Sequence, residues 1–204
     1  MNFEKAFAEI NQSLMGFEFP FPMGGGEKIV NKIQKEFDNP LPIDFVYYLK
    51  KIATQDDYGF LRVGNSLNLY GFSNISSLQE GYNFNPFTKE KIPEWLDNWL
   101  IIADEGSDPI IIDLLKAGKV FQSIHGEDNW NFFPIADSIS QFFLCCTALH
   151  YTLSKWGQFD AINTSKGFYL KEDPASWFFP KMKIWAGKYY SQWCGIFDNA
   201  NQSQ

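Results

Sequence analysis

The residues best placed to do chemistry crowd into one run, WLIIADEGSDPIIIDLLKAGKVFQSIHGEDNW at 99–130. It holds Asp104, Glu105, Asp108, Asp113, His125, Glu127 and Asp128 between apolar segments. Two carboxylates facing each other across a cleft can cleave a glycosidic bond, and a histidine beside a carboxylate carries protons near neutral pH. The spacing supports neither reaction. Asp104, Glu105 and Asp108 fall in a short connection between two expected strands, where a turn calls for polar residues and a Gly in any case. Asp113 alternates with Ile110, Ile112 and Leu114, which places it on a solvent face.

Other chemistries lack their parts. The chain has two histidines, His125 and His150, and three cysteines, with neither a CxxC nor an HxxxH to hold zinc. Cys145 and Cys146 are adjacent in an expected helix and read as small core residues; three cysteines make no disulfide framework. There is no GxSxG elbow for a nucleophilic serine. Gly24-Gly25-Gly26-Glu27-Lys28 opens a helix, but a phosphate-cradling loop needs GxxxxGK with Ser or Thr after a strand. It reads as a flexible connector. We therefore expect no catalytic residue, no metal and no cofactor, and do not expect an enzyme.

Composition narrows the partners. Acidic residues number 24 and basic ones 17, a net charge of −7. Nucleic acid and anionic membranes are held by clustered Lys and Arg, so neither is expected as a partner, and a charged macromolecular partner should be basic. Aromatic residues make up 18% of the chain, a share that suits a thick core and an interaction surface. The N-terminal MNFEKAFAEINQ is amphipathic without an apolar run, so no signal peptide is expected. The longest apolar stretch, 142–153, is about 12 residues and too short to span a bilayer. The expected location is the cytoplasm.

The elements that must position these residues follow from periodicity and turn chemistry. Helices are expected over 3–14 (Phe3, Phe7, Ile10, Leu14), 27–37 (Ile29, Val30, Ile33, Phe37) and 43–53. Pro42 suits the entry to the third. Strands are expected at 60–63, 67–72, 100–103, 109–114 and 119–124, with Lys116-Ala117-Gly118 turning the last hairpin. Residues 73–98 read as a loop with one or two helical turns. Ser138-x-x-Gln141 fits a capping box for a long helix carrying Ile139, Phe142, Phe143, Cys146, Leu149 and Leu153. The expected organisation is an N-terminal helix and linker (1–26), an α+β domain (27–154), and an aromatic-rich C-terminal extension (155–204) packing back on it.

Three stretches in this order resemble the SUKH superfamily. They are LPIDFVYYLKKI, the run WLIIADEGSDPIIIDLLKAGKVFQSIHGE, and IADSISQFF, together covering roughly residues 27–150. Its members include the yeast regulator of cell-wall glucan synthesis and bacterial immunity proteins that neutralise polymorphic toxins. The resemblance implies an α+β fold, helices on a curved, mostly antiparallel sheet, and binding rather than catalysis. It also implies paired glycines before the aspartate of the acidic turn, where this chain has Gly106 and Ser107.

Two readings follow. The leading one is an immunity protein that neutralises a basic toxin domain by direct binding; the alternative is a regulatory or scaffold protein of the glucan-synthesis type. An enzyme acting on a small polar substrate is the residual class. For a basic partner, the candidate contact residues are Asp56, Asp57, Asp104, Glu105, Asp108, Glu127 and Asp128 as phosphate-like charges, with His125 beside them and Tyr58 and Trp130 as aromatic anchors.

Overall fold

The computed structural model describes residues 2–14, 21, 23–126, 130–165 and 167–201. Residues 15–20 and 22 of the expected linker, the side chain of Phe7, Glu127 and Asp128 of the candidate site, and the end of the polar tail lie outside the described residues. The elements in order are α1 (Phe3–Ser13), α2 (Gly26–Gln34), α3 (Ile43–Lys51), β1 (Tyr58–Phe60), β2 (Leu67–Leu69), β3 (Trp99–Glu105), β4 (Asp108–Asp113), β5 (Lys119–Gln122), β6 (Phe133–Ala136) and α4 (Ile139–Trp156). Two short strands, β7 (Ile162–Asn163) and β8 (Tyr169–Leu170), precede α5 (Glu172–Trp185) and α6 (Tyr190–Cys194).

Each strand of the main sheet pairs antiparallel with its neighbour in sequence, giving the order β1-β2-β3-β4-β5-β6. The fold is α+β, as expected. Isoleucines at 101, 102, 110, 111 and 112 are fully buried, so the centre of β3 and β4 is covered on both faces. One face meets α4, where Phe60 and Phe143 rings stand 5.9 Å apart. The other meets the 73–98 segment. There Gln79 satisfies the Ile101 backbone at both ends, accepting from its N–H (3.0 Å) and donating to its carbonyl (2.8 Å).

Helix α4 is buried nearly all round, including Ser140, Thr147, His150 and Thr152. An apolar stripe marks a helix with one covered face; here the sheet, α1, α3 and α5 all pack on it. Its N-terminus is capped as the sequence signals: Ser138 Oγ accepts from Gln141 N–H (3.2 Å). The returning arm lands one residue early, on the Asp137 N–H (2.8 Å). Helix α5 ties the C-terminal segment back to α1, with Trp185 Nε1 donating to Glu9 (3.3 Å) and Lys181 Nζ to Ser13 (3.2 Å). Trp193 of α6 donates through Nε1 to the Ile135 carbonyl (2.9 Å).

Several expectations need correction. The glycine run is not a loose connector. The N–H groups of Met23, Gly24 and Gly25 donate to the carbonyls of Ile52, Ala53 and Leu49 at 2.8–3.1 Å, closing the C-terminus of α3. Gly24 has φ +73 and a Cβ there would collide with the Lys50 carbonyl, so only glycine fits. Asp113 does not face solvent. It is 2% exposed, accepts from Asn98 Nδ2 (2.7 Å) and Leu115 N–H (3.0 Å), and pairs with Lys116 (3.1 Å), fixing the turn into β5. The first strand stops at Phe60 because the Leu61 N–H is taken by His150 Nδ1 at 2.8 Å, and so leaves the ladder. Strand β6 is not among the expected strands; it lies at the sheet edge, where its Pro134 is tolerated.

Candidate functional site

The β3–β4 ladder runs to its last residues. Asp104 pairs with Pro109 and Glu105 with Asp108, so these carboxylates stand on strand ends and only Gly106 and Ser107 form the turn. Both turn residues have positive φ, +62 and +80, as a tight two-residue hairpin requires. The second glycine implied by the family resemblance thus corresponds to a left-handed serine.

Successive strand residues face opposite ways, and the two carboxylates of β3 part accordingly. Glu105 turns toward α4 and the C-terminal segment. It pairs with Arg62 (3.0 Å) and accepts from Gln122 Nε2 (3.1 Å); both charged side chains are about 15% exposed. Arg62, the only arginine in the chain, also lies over the Trp193 ring (5.2 Å). Asp104 turns to the other face, toward Tyr70 and Tyr82. Burial first, and then the Asp104 charge, pushes both phenols above their ordinary pKa. Asp108 Oδ1 accepts from the His125 N–H (2.8 Å) and lies 2.6 Å from His125 Nδ1, locking the end of the β5 segment onto the turn.

These contacts build a rim at one end of the sheet, where the β1–β2, β3–β4 and β5–β6 connections gather. Asn65 packs against Gly106. Tyr82 Oη reaches the Ser107 carbonyl (3.5 Å). A fourth segment joins from the end of α4: Gln158 Nε2 donates to the Arg62 carbonyl (3.0 Å). The structure therefore brings together Asp104, Glu105, Asp108 and His125. Trp130 is half-buried in an adjoining aromatic cluster, its ring 5.6 Å from Trp95 and 5.9 Å from Tyr82.

Asp56, Asp57 and Tyr58 stand apart, at the start of β1 and away from that rim. Asp56 is exposed. Asp57 is occupied by the Gly71 N–H (2.8 Å) and Asn74 Nδ2 (3.2 Å). Tyr58 packs between Phe21 and Phe60, with its hydroxyl 3.3 Å from His150 Nε2. His150 sits under this edge, and burial pulls its pKa down to about 4.

The remaining nucleophiles are withdrawn. Cys145, Cys146 and Cys194 are all buried; desolvation pushes each thiol up, that of Cys194 to about 12. A thiol held neutral is a packing group. Among the described residues, no group of three or more His, Cys, Asp or Glu gathers where a metal could be held. None of the described helices is long and apolar enough to cross a membrane. A cavity of about 390 Å³ between α1 and α3 is lined by Phe3, Glu4, Ile43 and Tyr47, away from the rim.

Two exposed apolar residues are absent from the expected contact set: Ile124 in the β5–β6 connection, 52% exposed, and Phe159 in the segment after α4, 87% exposed. No local signal marks either one: Ile124 reads as a strand residue, and Phe159 is a single aromatic in a polar stretch.

Compared with known proteins, residues 26–145 match the model of the SMI1 / KNR4 family (SUKH-1). A comparison with curated proteins and one with solved structures each found no match.

Proposed function

The chain belongs to the SMI1 / KNR4 family (SUKH-1), and from that premise we propose that it is a non-catalytic protein-binding domain, an immunity protein that neutralises a bacterial toxin by direct contact. The observation that carries the reading is the rim, where the carboxylates flanking the β3–β4 turn stand at the end of a sheet at which three connections gather. Asp104 and Asp108 offer negative charge to a basic partner, His125 is fixed on Asp108, and Trp130 backs the rim. Glu105 serves differently, holding Arg62 beneath it. Opposite fields accelerate encounter and set register, and a net charge of −7 acts in the same sense.

Non-catalysis is supported by what the carboxylates do. Glu105, Asp57 and Asp113 spend their oxygens on internal donors, and a base so occupied is poorly placed to take a substrate proton. The setting is a cell interior that meets the toxin there.

The test is genetic and then biophysical. Deleting the gene should sensitise the native host to a toxin of its own kind, and the protein should capture that toxin. Changing Asp104 and Asp108 to Lys should lower the association rate at least tenfold at low salt and flatten its salt dependence. Unchanged affinity and salt slope would remove the rim from the interface. Full survival of toxin-exposed cells without the protein would favour the regulator of cellular proteins instead.

A further inference from the structure

We propose that the cavity between the first turns of α1 and α3 binds a small amphipathic amine, an organic cation with an apolar body. The site is separate from the rim. Pro42, at the entry to α3, packs against Gly118 in the β4–β5 turn, at the opposite end of β4 from Gly106 and Ser107.

The walls are apolar and partly open to water. The cavity holds about 390 Å³, within the size range of small-molecule sites. Phe3 is buried at its base, while Ile43 and Tyr47 stand at 89% and 39% exposure. The latter two lie one turn apart on the same face of α3, and the Tyr47 ring stacks on Phe3 at 5.9 Å. Apolar side chains left in water beside a cavity gain when the body of a ligand covers them.

The charge of the ligand follows from the lining. Its charged residues are Glu4 and Asp44, both acidic, and neither is in an ion pair among the described residues. Asp44 is half-buried and fixed, its Oδ2 accepting from the Ser140 N–H (3.0 Å) in the first turn of α4. Burial pushes its pKa up, and a cation beside a partly desolvated carboxylate is held more firmly than one beside a wet carboxylate. The N-termini of α1, α3 and α4 meet here, and their partial positive charge opposes a cation. Each end is worth about half a charge. Their N–H groups are already partly spent: Asn2 takes that of Lys5 (3.1 Å), Ser138 that of Gln141 (3.2 Å), and Asp44 that of Ser140. Two full carboxylate charges therefore prevail.

The experiment titrates the full chain, followed by amide resonances, with three probes that share one body: phenethylamine, phenethyl alcohol and phenylacetate. Phenethylamine should shift the amides of 2–5, 43–47 and 138–141 with a Kd of about 1 mM, as its size allows. The alcohol should bind roughly tenfold more weakly, and phenylacetate should leave these amides in place. Glu4→Gln, at an exposed site, should cost the amine about threefold, and adding Asp44→Asn should bring it to the level of the alcohol. Ile43→Ser should weaken amine and alcohol alike, by about threefold, without moving the unfolding temperature. Equal binding of the three probes, tighter binding of phenylacetate, or no shift at roughly ten times that amine concentration overturns the proposal. So does an amine preference that survives the double variant, or one unchanged in Glu4→Gln should the double variant fail to fold. None of these outcomes touches the rim, so the protein-binding reading stands or falls by its own test.

Discussion

His150 is the residue whose environment most constrains the solution behaviour of the fold. Its Nδ1 accepts from Leu61 N–H, so in the neutral ring the proton sits on Nε2, facing the Tyr58 hydroxyl. Protonating the ring would set a donor against a donor and put charge in a desolvated site. The folded pKa, about 4, lies below the unfolded value near 6.5. Between these two values the unfolded chain holds a proton that the folded one does not, so stability falls as pH drops through that window. Above about 6.5 both states are neutral and the group contributes no pH dependence. We expect a loss on the order of 2 kcal/mol between pH 6.5 and 4 from this residue. His150→Gln should remove that part of the slope in urea unfolding measured across the range. An unchanged slope would place the acid sensitivity on the carboxylates.

At the scale of elements, the β3–β4 turn gives the sharpest expectation. Ser107 holds φ +80, a conformation that costs an L-residue roughly 1 kcal/mol and glycine almost nothing. Ser107→Gly should therefore raise the urea midpoint by about 0.5–1 kcal/mol of stability; a lower midpoint would mean that the serine makes a compensating bond. This hairpin was the most legible element, because isoleucine runs and turn residues are local signals. Helices α1 to α4 were legible for the same reason, through their apolar spacing and the Ser138 cap. Strand β1 was misplaced because the group that ends it, His150, lies 89 residues away. The site divided likewise. The meeting of Asp108 with His125 follows from a register that turn positions nearly dictate. The inward turn of Glu105 depends on Arg62, and the exposure of Phe159 on contacts no local pattern encodes. Asp113 was misjudged because alternation shows which face a residue takes, while whether that face is covered is settled by distant segments.

For the whole molecule, the central fact is that α4 needs cover on every side. Its outer flank is closed by α5, where Trp177 stacks near Tyr151 (4.8 Å) and Gln141 reaches the Trp185 carbonyl (2.8 Å). Ending the chain after residue 156 would leave that flank in water and strip Trp193 from Arg62. We expect such a truncation to lose cooperative thermal unfolding and to bind hydrophobic dye; a sharp transition near that of the full chain would show that the first 156 residues suffice. The sheet itself is a plain meander, every strand beside its neighbour in the chain, and such local pairings close quickly. The contacts between α1 and α5 join residues 168 and 176 positions apart. On the ribosome, the sheet, α1 and α4 can therefore assemble early, while the outer flank of α4 and the two bonds from α1 to α5 wait until the final helices emerge. The interval between those events is when this chain is most open to proteases and chaperones, and its length is set by the rate of translation.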